Sequence, residues 1–245
     1  MSEEENRTTN QATVTSRLLA IVTAFGLTVS GVVAAGIGVL IASFGGVLAV
    51  GDPNGLFLFV VAVTTAAELG FLVVGYGYVR LRDRSVSVRR PSGNDTRITL
   101  LGTVGAFIVG VGLFSLLGVI GLQPQTFYTA KNIDTATFVA TAAVIVLVAP
   151  PAEEYLFRGA IQGRLHDSFG RTGAIAGASL LFGAIHIPNY LGSEVPAVIA
   201  GALILTLVGA VFGYVYERTE NLLVPIAVHT GYNLALMIVS ATAFV

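Results

Sequence analysis

TFVATAAVIVLVAPPAEEYLFR, residues 137–158, joins an uncharged apolar run to two prolines and then to a Glu153-Glu154-x-x-x-Arg158 cluster. A helix needs roughly 20 apolar residues to cross a hydrocarbon core, so this stretch reads as a membrane span with acids in its last third. Pro150 and Pro151 cannot continue an unbroken hydrogen-bond ladder; the helix is expected to kink or restart there and leave room for water beside the carboxylates. Charges at such a depth are costly, and a chain that keeps them usually uses them.

The rest of the sequence agrees. With 54% hydrophobic and 11% charged residues among 245, the chain cannot cover a soluble globule with polar surface. The reading is an all-α, polytopic transmembrane helix bundle of about seven spans. They cover 18–50, 56–79, 98–122, 137–157, 172–187, 195–216 and 222–245. The first would extend ~50 Å as one helix. It is therefore expected to tilt, to kink at Gly31, Gly36, Gly38, Gly45 or Gly46, or to contain an extra half-span, which would make eight. Met1 to Arg17, with Glu3, Glu4, Glu5 and Arg7, lacks the pattern of a secretory signal and reads as a disordered polar tail. Residues 18–134 form an N-terminal set of membrane helices, with an arginine-rich loop at 80–97, and residues 135–245 form the core that holds the polar clusters.

The basic residues orient the bundle. With a cytoplasmic N-terminus and seven spans, Arg7, Arg17, Arg80, Arg82, Arg84, Arg89, Arg90, Arg97, Arg158, Arg164, Arg171 and Arg218 fall on the cytoplasmic side and only Lys131 falls outside. This is the bias of the positive-inside rule. The loops at 51–55, 123–135 and 189–194 are short, and the first carries the turn formers Asp52-Pro53-Asn54-Gly55. No second soluble domain fits.

Cysteine is absent, which removes disulfides, thiolate metal sites and cysteine nucleophiles. Glu154 precedes Arg158 by one helical turn in the order that favours pairing, whereas Glu153 projects about 100° away. The adjacent acids thus separate in role: Glu153 is free to act as a general base, and Glu154 with Arg158 brackets it. Two further pairs at the same spacing follow, Phe182-x-x-x-His186 and His229-x-x-x-Asn233. The ring of Phe182 should restrict the imidazole of His186, and His229 and Asn233 should share one stripe of the last span. A lone intramembrane histidine is often only an interhelical hydrogen-bonding residue. Here two of the three histidines lie in spans near the double acid, which points to one shared site.

These three clusters, in this order, resemble the signature of the CPBP membrane proteases, also called the Abi or type II CAAX-prenyl-protease-like family. The resemblance covers Thr135 to Val245 and says little about the earlier spans. It implies an intramembrane endopeptidase that cleaves membrane-anchored, lipidated or prenylated (CAAX-type) peptides near the cytoplasmic leaflet of a prokaryote-like cell membrane. Glu153 and His186 would activate the hydrolytic water, His229 and Asn233 would stabilise the oxyanion, and Glu154, Arg158 and Phe182 would support them. The cofactor stays open: none, or zinc held by Glu153, His186 and His229, although the His-Glu-x-x-His sequence of zincins is absent.

Other readings compete. A proton-coupled transporter or channel could use Glu68, Glu153, Glu154 and the histidines as a relay, but no internal repeat accompanies them. A catalytically silent scaffold would keep the same pocket. A rhomboid-like serine site is not matched, because Gly177-Ala178-Ser179 is followed by Leu180, and no paired intramembrane aspartates occur. Glu68 reads as a hydrogen-bonding residue between helices, with a place at the substrate entrance as the second reading. His166 reads as solvated, and the glycines from Gly201 to Gly213 as helix packing. Nothing suggests nucleotide or nucleic-acid binding; the expected partners are membrane lipids and the anchored substrate.

Overall fold

The structure, a computed structural model, describes residues 3–47, 55–124 and 134–241. Residues 51–54 of the first short loop, most of the 123–135 loop with Lys131, and the last four residues of the final predicted span lie outside the described residues. The described helices are α1 (Glu3–Val47), α2 (Gly55–Leu81), α3 (Gly93–Val119), α4 (Thr135–Leu147), α5 (Ala149–Glu154), a π-helical stretch (Tyr155–Gln162), α6 (Gly163–Ile185), a 3-10 turn (Ile187–Tyr190), α7 (Val195–Thr219) and α8 (Leu223–Ala241). Among the described residues, the only β pairing is an isolated bridge between Leu191 and Ser193. The chain is an all-α integral membrane protein.

Among the described residues, six helical segments are long and apolar enough to cross a membrane, and one of them, Thr135–Ile185, runs for 51 residues. That segment doubles back. Phe157 and Phe182 would stand ~37 Å apart along one straight helix, yet their ring centroids are 5.3 Å apart. The reversal falls at Gly170, whose φ of 64° and ψ of −173° break the helix inside α6. A side chain would be strained at that φ, so glycine makes the hairpin. Counting this segment twice recovers the seven passes that hydropathy predicts.

Two features differ from the sequence reading. Segment 3–17 is helical rather than a disordered tail and continues into the first span. The first span also does not break at its glycines. An ideal Cβ on Gly38 would sit 2.6 Å from the Ala66 carbonyl oxygen. One on Gly70 of α2 would strike the backbone of Ala34 and Ala35. The small residues bring α1 and α2 into backbone contact instead of kinking the helix. The apolar part, Thr13–Gly46, is 34 residues long and must tilt to fit.

At one end of the bundle the arginine-bearing turns are stitched together. Ser92 and Asp95 form a capping box that starts α3 within the predicted 80–97 loop. Arg84 bonds Asp167 (2.8 Å) and the Gly163 carbonyl (3.0 Å), and the Asp167 carboxylate raises its pKa above the ordinary arginine value. Arg89 bonds Asp95 (2.7 Å) and the Thr219 carbonyl (2.9 Å), while Asn221 pairs with both backbone groups of Arg89. Ser16 of α1 meets Ser168 at 3.1 Å. The α1 start, the α2–α3 loop, the α6 hairpin and the α7–α8 turn therefore share one end. Arg158, assigned to a cytoplasmic segment from sequence, is not among these surface arginines; it is wholly buried.

Since the chain has no cysteine of its own, Ser16→Cys combined with Ser168→Cys should cross-link readily under mild oxidation, read as a mobility shift on reducing and non-reducing gels. Failure of this pair to close in the membrane-embedded protein would contradict the placement of α1 against the α6 hairpin.

Candidate active site

Pro150 and Pro151 fall in the first turn of α5, where a missing N–H is tolerated, and they separate α5 from α4. The helix then widens into the π-helical stretch, which turns Leu156 to Gln162 into the protein interior. Such wide turns recur at functional sites because they re-aim side chains that a regular helix would stack.

Glu154 sits at the centre with no solvent exposure. Its Oε2 accepts from Arg158 Nε at 2.9 Å and its Oε1 from His229 Nδ1 at 2.9 Å. One carboxylate thus joins the fourth pass to α8. The Arg158 guanidinium lies over the Phe182 ring, 5.4 Å from its centroid, a cation–π contact inside an apolar shell. Its Nη2 has no hydrogen-bond partner among the described residues, and its Nη1 stands 3.5 Å from Gln162 Oε1. Two glycines bring helix α7 close to this cluster. An ideal Cβ on Gly209 would fall 3.0 Å from Phe182 Cδ1, and one on Gly213 2.8 Å from Gln162 Oε1.

Phe182, predicted only to restrict His186, is the hub of the aromatic shell. Its ring is 5.3 Å from Phe157, 6.0 Å from Phe212, 4.6 Å from His186 and 5.8 Å from His229. Phe212 stacks on His229 at 4.6 Å with an interplanar angle of 22°. His186 is not inside a span as drawn from sequence but caps the end of α6, where its Nδ1 donates to the Phe182 carbonyl at 2.7 Å. A carbonyl can only accept, so in the neutral ring the proton is on Nδ1 and Nε2 carries the lone pair. Asn233 Nδ2 donates at 2.9 Å to the carbonyl of Ile145, in the last turn of α4, where helix carbonyls lack intrahelical partners.

Glu153 is buried, and its Oε2 has no hydrogen-bond partner among the described residues. Glu68 on α2 is near enough to interact with it electrostatically. Glu68 Oε2 is also buried without a partner, so this oxygen does not make the interhelical hydrogen bond expected of it. The structure therefore gathers Glu154, Arg158, Phe182, His186 and His229 into one contact cluster, with Glu153 beside it and Asn233 one turn beyond His229. His186 is tied to Phe182 rather than to Glu153. Among the described residues, no three His, Asp or Glu side chains are grouped to hold a metal ion. Glu153, His186 and His229, the zinc alternative read from the sequence, are not such a group in this structure.

Sequence reasoning passed over Gln162, which is wholly buried and bonded to Glu217 and the Gly213 carbonyl. The signal was present: Gln162 follows Arg158 by the same interval at which Arg158 follows Glu154. It also passed over Phe212, whose role depends on a packing partner in another helix. Removing the charge of Glu154 leaves Arg158 buried and unpaired. Glu154→Gln should therefore destabilise the protein by about 3–5 kcal/mol. Equilibrium unfolding in detergent micelles measures this, and a cost under about 1 kcal/mol would contradict a closed, dry pair.

Residues 135–235 match the family model described as Type II CAAX prenyl endopeptidase Rce1-like. The search of curated proteins and the search of solved structures gave no match. The matched range contains all three polar clusters and the helices that hold them, so the likeness first read from the motifs extends through α4 to α8. Across those residues the chain is similar to the Rce1-like family of type II CAAX prenyl endopeptidases.

Proposed function

We propose that the protein hydrolyses a peptide bond in a membrane-anchored substrate, prenylated CAAX-type peptides being the leading class. The family match supports a membrane endopeptidase in general. The observation that carries the finer reading is the division of labour between the two adjacent acids. Glu154 has both oxygens committed, to Arg158 and His229, whereas Glu153 keeps a buried oxygen uncommitted. A general base needs a free oxygen within reach of water, and a structural carboxylate needs none.

The remaining groups suit the other tasks of peptide hydrolysis. His186, with Nδ1 given to the Phe182 carbonyl, offers the Nε2 lone pair to a water that Glu153 deprotonates. Attack on the scissile carbonyl forms a tetrahedral oxyanion, which needs donors already in place. His229 is oriented through Nδ1, so in its doubly protonated form Nε2–H serves as one donor. Asn233 uses one amide hydrogen on Ile145 and keeps the second as another donor. Glu153 then returns its proton to the departing amine, and the peptide bond breaks without a covalent enzyme intermediate. No step is routed through zinc. The gathered arginine-bearing turns, together with the positive-inside bias, support a cytoplasmic orientation for that end, with cleavage near the cytoplasmic leaflet.

The test is cleavage of a fluorogenic prenylated-peptide panel by the purified, detergent-solubilised full chain, beside Glu153→Gln and with or without a zinc chelator. The expected result is cleavage by the native protein and a loss of about 10²–10⁴-fold in the variant, with no effect of the chelator. Proteolysis undiminished in a folded Glu153→Gln protein would sink the mechanism, and loss of native activity in chelator would return zinc to the site.

A further inference from the structure

We propose that Gln162 and Glu217 are positioning residues that hold Arg158, and through it the Glu154–His229 pair, from the arginine-rich end of the bundle. The inference rests on the hydrolytic reading of the site. It starts from an amide with only one workable orientation. Gln162 Nε2 lies 3.1 Å from the Gly213 carbonyl oxygen and 2.9 Å from Glu217 Oε1, both acceptors, while Oε1 faces Arg158 Nη1 at 3.5 Å. Rotating the amide by half a turn would set an oxygen against two oxygens and an NH₂ against a guanidinium. Gly213 enforces the fit, because an ideal Cβ there would stand 2.8 Å from Gln162 Oε1.

Glu217 is itself held from outside. Its Oε2 lies 3.5 Å from His166 Nε2 and 3.6 Å from Arg171 Nε. His166 is half exposed and stands beside this carboxylate. A continuous polar chain runs from His166 and Arg171 through Glu217, Gln162, Arg158 and Glu154 to His229. It links the first half of α6, α7, the π-helical stretch and α8, elements that hydrophobic contact alone would let slide.

The position of the guanidinium depends on this chain. Nη2 has no hydrogen-bond partner and Nε is committed to Glu154, so beyond the Phe182 ring Gln162 is the group that fixes its rotation. Glu154 is shared between Arg158 and His229, so a turn of the guanidinium passes to the imidazole. Misplacing a reacting group by 1 Å costs about 10²-fold in rate. The proposal thus assigns rate, rather than substrate affinity, to two residues that touch no substrate.

The experiment compares the full chain with Gln162→Leu, Glu217→Leu, Glu217→Gln and the double Leu variant. It measures kcat, KM and thermal unfolding, with Glu153→Gln as the inactive control. In parallel, ¹⁵N-histidine NMR is tractable because the chain has three histidines. Gln162→Leu and Glu217→Leu should each lower kcat by about 10–100-fold with KM within about twofold. Glu217→Gln, which keeps an acceptor, should restore most of the rate. The double variant should be no worse than the more impaired single variant, because the two act in series, and the His229 ring signals should move in both Leu variants. Lowered thermal stability with native kcat and unmoved His229 signals would overturn the proposal and leave these residues as packing. Full activity in Glu153→Gln would instead remove the hydrolytic reading on which it stands. Should Gln162→Leu fail to fold, Glu217→Leu at the outer end of the chain decides by the same criteria.

Discussion

Everything around the site follows from placing a carboxylate and a guanidinium where no water reaches them. Glu154 and Arg158 are both wholly buried. Desolvating such ions costs several kcal/mol each, and their attraction repays this only with good geometry and further hydrogen bonds. Glu154 meets that condition by taking one donor on each oxygen. Arg158 meets it less completely, with one firm bond, one long one, an aromatic face and an idle nitrogen. The surrounding architecture makes this arrangement tolerable. Gly209 and Gly213 let α7 close over the guanidinium, Phe182 lies against its face, and the π-helical stretch turns seven consecutive residues inward.

The same constraint explains why adjacent glutamates differ. A second fully bonded carboxylate at position 153 would need its own cation, and none is offered. Glu153 keeps a buried oxygen without a partner, and the nearby Glu68 is in the same condition. A buried acceptor left bare costs about 1–3 kcal/mol. Beside a Glu154 bonded on both oxygens, this cost falls where a reaction would need an available oxygen.

How much of this was legible in the sequence depends on the range of each interaction. The Glu154–Arg158 pair was legible because it is one helical turn long, and so were the proline break and the shared face of Phe182 and His186. The seven passes were legible from apolar length, provided the 51-residue segment was divided. The link from Glu154 to His229 was not, because it joins residues 75 apart in sequence and belongs to the packing of two helices. Glycines misled for the same reason: Gly31 to Gly46 could as well kink α1 as seat it, and only the facing backbone of α2 decides. Arg158 was counted on the cytoplasmic side because a charge tally sees sign and sequence position but not burial. The family model match extends the motif reading across α4 to α8, while the first three helices rest on the fold alone.

The two site histidines show why an aromatic residue lies between them. Each has given Nδ1 to an acceptor, His186 to a carbonyl one turn back on its own helix and His229 to a carboxylate from another helix. The first anchor moves with α6 and the second with the fourth pass, so hydrogen bonding alone does not fix the spacing of the rings. Phe182 does, lying 4.6 Å from one and 5.8 Å from the other, centroid to centroid. A polar side chain there would compete for the free Nε2 atoms, and a smaller apolar one would leave a void that the imidazoles could fill by rotating. A phenyl ring occupies the gap, packs edge-on against His229 and offers neither ring nitrogen a conventional hydrogen bond. The position that looks least chemical in the three clusters is therefore the one that keeps the other two in register.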